Sequence, residues 1–163
     1  MHEITFSSSG KSEIYQEILP QIEALIDGEP NFIANLANIT AVLKSAFDWL
    51  WVGFYLVDKD NLVLGPFQGP PACTRIAHGR GVCGQSWAQA QTIIVPDVNQ
   101  HFDHIACSSL SQSEIVVPVF NQARQVVAIL DVDAEETNQF DQTDAEFLQK
   151  ICYLISRQHF SKA

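Results

Sequence analysis

Positive charge is scarce in this sequence. Nine lysines and arginines stand against nineteen aspartates and glutamates in 163 residues, a formal net charge of −10. A nucleic-acid backbone or an anionic bilayer surface would repel such a chain, so neither nucleic acid nor a membrane is expected as a partner. Long apolar runs are missing too; none approaches the roughly 20 residues that span a bilayer. The opening residues, Met1 to Gly10, lack both the basic start and the apolar core of a secretion signal, which points to the cytoplasm. Cysteines are few, and no two form a C-x-x-C pair. In a reducing compartment Cys73, Cys83, Cys107 and Cys152 are expected to serve packing, metal binding or catalysis rather than as structural staples. The sequence contains no internal repeat, low-complexity tract or linker. What remains is one domain over 1–163, with residues 1–10 as a flexible tail and 47% apolar residues to build a core.

Apolar spacing predicts the elements. Ile14, Ile18, Ile22, Leu25 and Ile26 recur at helical intervals over 12–26, with Ser12 as N-cap and Pro20 as a kink or break. A second helix over 31–47 points Phe32, Leu36, Leu43 and Phe47 inward. From Trp49 to Val57 the residues turn aromatic and β-branched, and 58–61 makes a turn into Leu62, Val63 and Leu64. Short strands follow at 73–77 and 92–95, with a short helix over 81–90 between them. Stronger strands at 114–120 and 125–133 flank a hairpin turn over 121–124. The last helix follows Asp141, with Thr143-x-x-Glu146 as its capping box and Phe147, Ile151, Leu154 and Ile155 along one stripe. Helices at the ends and strands between them predict an α+β domain, with helices on one face of a mainly antiparallel sheet. Residues 96–113 follow neither period, and loops beyond roughly 12–15 residues in compact domains commonly carry function.

Four constellations could carry chemistry. Gly79-Arg80-Gly81-Val82-Cys83-Gly84 matches G-x-G-x-x-G, but the strand before it is short and the helix after it barely two turns. A tight turn entering a short helix accounts for these glycines without a dinucleotide. His101-x-x-His104-x-x-Cys107 offers zinc-type donors, with no C-x-x-C partner elsewhere to complete a site. Cys73, Cys83 and Cys107 lie in turn-rich segments, where one thiolate could attack and another thiol resolve the resulting sulfenic acid; Cys152 sits on an apolar helix stripe and reads as core. Finally, Asp131 and Asp133 share one face of their strand, and Glu114 could lie beside them across the hairpin. Trp49, Trp51, Gly53 and Tyr55 share a face of theirs, either as core or as the wall of a cage for a small cationic ligand. Clustered acids repel one another, which raises at least one pKa and can supply a proton near neutrality.

A longer series of motifs resembles one family. It runs through Trp51-Val52-Gly53-Phe54-Tyr55, Gly65-Pro66-Phe67-Gln68-Gly69, Cys73, Gly81-Val82-Cys83-Gly84, Val95-Pro96-Asp97-Val98, Cys107, Ser113-Glu114-Ile115-Val116-Val117-Pro118 and Leu130-Asp131-Val132-Asp133. In that order the blocks are similar to the GAF-domain free methionine-(R)-sulfoxide reductases. The resemblance implies a GAF fold, a sheet of about six antiparallel strands with the N- and C-terminal helices packed on one side. It implies reduction of the R epimer of free methionine sulfoxide, with Cys107 as the attacking thiolate, Cys73 as the resolving thiol and Cys83 as a secondary thiol. Glu114, Asp131 and Asp133 would bind the ammonium and the sulfoxide oxygen, Glu114 or Asp133 would donate the proton, and Trp51 and Tyr55 would hold the methylsulfinyl end. Thioredoxin would restore the thiols, and neither metal nor organic cofactor is implied. The competing expectation is a non-enzymatic GAF sensor of a small ligand, which would have no need of three cysteines and for whose output module 163 residues leave no room. The two N-terminal helices could pair in a homodimer.

Overall fold

The computed structural model describes residues 3–161. Four helices, α1 (Lys11–Ile26), α2 (Phe32–Phe47), α3 (Gly81–Gln89) and α4 (Gln142–Phe160), accompany six strands. The strands are β1 (Trp51–Asp58), β2 (Asn61–Gln68), β3 (Arg75–Ala77), β4 (Ile93–Val95), β5 (Ser113–Phe120) and β6 (Val126–Ala134). They form one sheet in the order β3–β2–β1–β6–β5–β4, and every neighbouring pair is antiparallel. The α+β class, the six strands and the N- and C-terminal helices on one face are as expected from the sequence. No helix among the described residues is long and apolar enough to cross a membrane.

Side-chain alternation divides the molecule into two cores. On one face, α1, α2 and α4 bury Ile18, Ile22, Leu36, Leu43, Leu148 and Ile151 against Val52, Phe54, Ile115, Val117, Leu130 and Val132. Truncating one such fully buried residue to alanine costs about 2–5 kcal/mol. On the other face a smaller core forms around Tyr55, Leu62, Val116 and Ile129, covered by α3 and by loops rather than by long helices. The long helices thus anchor one side and leave the other to be shaped by residues 69–113.

Local departures have local causes. Pro20 lies inside α1 without splitting it, because Ile14, Ile18, Ile22 and Ile26 carry a buried stripe across it. That helix begins one residue earlier than predicted, so Gly10 rather than Ser12 is its N-cap. The capping box of α4 is built from Asp141 and Asp144, not from Thr143 and Glu146. Aspartate is a strong N-cap, and the buried Asp144 is held as well by Lys11 Nζ at 2.6 Å and Tyr15 Oη at 2.7 Å. Trp49 precedes β1, so strand alternation does not reach it; it stacks on Phe47 at 4.4 Å in the helix-side core. Of the expected tail, residues 3–10 run along α1, where Thr5 N donates to Gln21 Oε1 at 2.9 Å and Ser7 N to Glu17 Oε2 at 2.7 Å. Residues 1 and 2 lie outside the described residues.

Candidate active site

The floor of the site is the middle of the sheet, on the face away from the long helices. Register places Trp51 opposite Asp133, Gly53 opposite Asp131, and Glu114 on the far side of Asp133. Alternation therefore gathers Trp51, Tyr55, Glu114, Asp131 and Asp133 on that one face. Gly53 makes room for the indole: a Cβ there would sit 2.4 Å from Trp51 Cη2. Trp51 Nε1 donates to the Pro70 carbonyl at 3.1 Å, and Tyr55 Oη to the Cys73 carbonyl at 2.9 Å. Both aromatic side chains are thereby tied to the segment that carries Cys73.

The helix α3 brings Cys83 onto the acids. Its close approach requires Gly84, where a Cβ would meet the Ala77 carbonyl oxygen at 2.6 Å. The glycines at 79 and 81, both with positive φ, form the tight turn that enters α3, and β3 pairs antiparallel with β2 rather than opening a parallel crossover. This is the arrangement expected of a turn, not of a dinucleotide fingerprint. Cys83 Sγ lies 3.9 Å from Glu114 Oε1. One ligand atom each from Cys83, Glu114 and Asp131 fall within 4.8 Å of one another, all buried; these are the side chains that a thiophilic cation could use.

A roof closes over this floor. Cys107, on the long loop, is joined by a disulfide to Cys73, with Cα atoms 5.5 Å apart. His104 Nε2 stands 3.6 Å from Glu114 Oε2, and Ser111 Oγ donates to Asp133 Oδ1 at 2.6 Å. His101 Nε2 turns instead to Gln85 Oε1 at 3.1 Å. The spacing of His101, His104 and Cys107 therefore sends its members to three different partners and does not converge on one ion. Beneath the roof is a space of about 40 Å³, walled by Trp51, Tyr55, Cys83, Cys107, Glu114, Asp131 and Asp133 among others; Cys73 is not part of the wall. Cys152 is buried in the helix-side core with Sγ 4.0 Å from the Val117 carbonyl oxygen, outside the site.

Burial dominates the electrostatics. It pushes the Glu114 carboxyl well up, with Asp133 adding to the effect, and does the same to Asp131, where Asp133 and Glu114 both contribute. Asp133, half-buried, is pushed up to about 6 by desolvation, against the Ser111 hydrogen bond and the His104 charge. The Cys83 thiol is raised by burial and by the neighbouring carboxylates, so it is held protonated. Asp131 Oδ1 is buried with no hydrogen-bond partner. A cation entering this site would meet an unpaired carboxyl oxygen and buried acids that its charge would help to ionise.

A raised carboxyl pKa stabilises the fold most below the unfolded value and loses that contribution as pH climbs through the folded value. For Asp133 the window runs from about 4 to about 6. The stability of the wild type relative to Asp133→Asn should fall across it by about 2 kcal/mol. Guanidinium chloride unfolding of both proteins at several pH values measures this, and a flat difference would rule out the buried acid.

Of the sequence candidates, Trp51, Tyr55, Cys83, His104, Cys107, Glu114, Asp131 and Asp133 line the space, and Cys73 joins it through its disulfide; Trp49 and Cys152 belong to the other core and His101 turns to Gln85. Sequence reasoning missed Ser111 altogether and had His104 only as a zinc donor. A serine two residues before the Ser113–Phe120 strand carries no signal of its own, and the partner of His104 is set by tertiary packing.

Comparison with known proteins places these features. The GAF domain family matches residues 31–158. A Dictyostelium discoideum protein described as GAF domain-containing protein A is 55% identical, covering 94% of this chain and 97% of its own. The free methionine-R-sulfoxide reductase of Saccharomyces cerevisiae is 39% identical over 94% of this chain and 91% of its own. The crystal structure of free methionine-R-sulfoxide reductase from Neisseria meningitidis in complex with its substrate superposes with a TM-score of 0.95 at 56% identity. It covers 97% of this chain and 95% of that one.

Proposed function

The chain belongs to the GAF domain family, among relatives that include free methionine-R-sulfoxide reductases, and from that footing we propose that it reduces free L-methionine (R)-S-oxide to methionine by thiol chemistry. The observation that carries the reading is the reactive-thiol geometry. Cys107 faces the cavity that holds the acid cluster, while its disulfide partner Cys73 stands outside the wall. The α-ammonium of the substrate pairs with Asp131, whose unpartnered Oδ1 is the natural acceptor, and with Glu114. Trp51 and Tyr55 pack the methylsulfinyl end. Peptide-bound methionine sulfoxide lacks that ammonium and would leave the buried acids unpaired, which explains a preference for the free amino acid.

Turnover then follows from the residues in place. The Cys107 thiolate attacks the sulfoxide sulfur as Asp133, or Glu114, protonates the oxygen. The oxygen passes to Cys107 as a sulfenic acid, and the substrate sulfur, two electrons richer, leaves as methionine. Cys73 condenses with the sulfenic acid, expelling water and forming the disulfide. A thioredoxin-type dithiol returns both cysteines to thiols and is itself oxidised to a disulfide. Cys83, whose thiol is held protonated, is a poor first resolver and serves as the secondary thiol. A reducing cytoplasm is the setting that such a cycle needs, and no step calls for a metal or an organic cofactor.

The space under the roof is narrow, about 40 Å³, a volume on the scale of a few water molecules. The disulfide is the form that a turnover would leave, and opening of the 96–113 loop would widen the way in for substrate. A non-enzymatic sensor is disfavoured because a sensing pocket has no use for a disulfide at its mouth. Methionine release from the separate R and S epimers, with dithiothreitol as reductant, tests the reading. Turnover of the R epimer alone is expected, and turnover of neither epimer would overturn it.

A further inference from the structure

Large apolar side chains are mostly buried in this protein, and those that are not are unevenly placed. Among the described residues the exposed ones are Phe6, Ile33, Phe102, Ile105, Leu110 and Tyr153. Half of them fall between positions 102 and 110, the stretch that contains Cys107. Phe102 is 90% exposed, Leu110 56% and Ile105 36%.

This segment is not a loose tip. Asp103, at φ 59°, accepts from Arg80 Nε and Nη2 at 2.9 Å each and from Gly81 N at 3.2 Å, a bidentate clamp onto the start of α3. Just before it, Gln85 Nε2 donates to the Phe102 carbonyl at 3.4 Å and Gln85 Oε1 pairs with His101 Nε2 at 3.1 Å. The chain on both sides of Phe102 is held to α3 while the ring is presented to water. A braced, solvent-facing phenyl in a chain with ample core to bury it gains nothing for the isolated fold.

We propose that Phe102 and Leu110, with Ile105 between them, form the docking platform on which a dithiol protein reductant of the thioredoxin type seats itself to attack the Cys73–Cys107 disulfide. The inference rests on the thiol reading of the site. A protein reductant must hold its nucleophilic thiolate in line with the target S–S bond, and an apolar contact surface on the segment that carries Cys107 supplies that alignment. The reductant's thiolate bonds to one sulfur of the pair while the other leaves as a thiolate and takes up a proton. The reductant's second thiol, losing its proton, then attacks the reductant's own sulfur in the mixed disulfide and expels the chain's cysteine as a thiol, so that two electrons enter the chain and the reductant leaves as a disulfide. Dithiothreitol, a small molecule, needs no platform. The contrast between the two reductants therefore isolates the docking surface.

The experiment compares the wild type with Phe102→Ser and with Leu110→Ser. Reduction of the preformed Cys73–Cys107 disulfide is followed directly, once with thioredoxin, thioredoxin reductase and NADPH and once with dithiothreitol. Neither arm needs methionine sulfoxide, so the outcome is independent of whether the reductase reading stands. Each substitution is expected to slow thioredoxin-driven reduction about tenfold or more at subsaturating thioredoxin, with the dithiothreitol rate unchanged. Equal rates with thioredoxin for all three proteins would overturn the proposal. So would a parallel fall with both reductants, which would make the segment a structural brace only. Size-exclusion chromatography is the third arm. A wild-type dimer that Phe102→Ser converts to monomer would assign the platform to a second copy of the chain and overturn the proposal as well.

Discussion

Cys107→Ser should lower methionine release from the R epimer by about a thousandfold or more with any reductant, the scale of loss when a covalent nucleophile is removed. The reason is positional. Cys107 lies against the cavity that holds Glu114, Asp131 and Asp133, Cys73 does not, and Cys83 is buried among carboxylates that keep its sulfur protonated. Cys73→Ser should behave differently: dithiothreitol can reduce the sulfenic acid at Cys107 directly, so turnover with the small thiol should survive while thioredoxin-dependent turnover falls sharply. The paired measurement uses separated epimers and both reductants. Full activity in Cys107→Ser would move the nucleophile elsewhere and undo the whole sequence of steps.

Asp131→Asn should reduce kcat/KM for the free amino acid about a hundredfold, chiefly through KM, because a buried charge pair stripped of one partner loses about 2–5 kcal/mol. The substitution preserves shape and removes only the capacity to become an anion. It should not weaken the ligand-free fold, since the native carboxyl there is already held back from ionising and carries an unpartnered oxygen. Steady-state kinetics on free and N-acetylated methionine sulfoxide, together with denaturant unfolding, separates the two effects. The N-acetyl compound, with no ammonium, should be a poor substrate for the wild type. An unchanged KM in Asp131→Asn, or equal use of both compounds by the wild type, would remove the ammonium from its assigned place.

These residues differ in how far the amino-acid order alone reveals them. Period-two alternation is local, so the shared face of Asp131 and Asp133 and the place of Glu114 across the hairpin are legible in the sequence. The same rule fails at Trp49, because alternation applies only within a strand and β1 begins at Trp51. Helix α4 is legible in its stripe but not in its cap, where Asp141 and Asp144 take the positions that Thr143 and Glu146 could also have filled. The four helices and six strands can be placed from pattern alone, since apolar period is their main determinant. What stays hidden is contact between segments far apart in sequence: Cys83 on Glu114, His104 on Glu114, Ser111 on Asp133, and Asp103 on Arg80. No spacing rule joins a turn at 80 to a loop at 103; only the packing of α3 against the sheet does.

The way α1 is fastened has a bearing on how the protein is made. Lys11 and Tyr15 both hold Asp144, and Arg157 Nη2 holds Glu23 Oε1 at 2.6 Å, so the first helix is fixed by residues more than a hundred positions downstream. The central strand β1 likewise waits for β6. A ribosome adding about 5–20 residues per second will have displayed Cys73, Cys83 and Cys107 well before Asp131 and Asp133 emerge to enclose them. For those seconds the nascent chain carries accessible thiols and an uncovered first helix, and it depends on the reducing power of its surroundings to keep those thiols free.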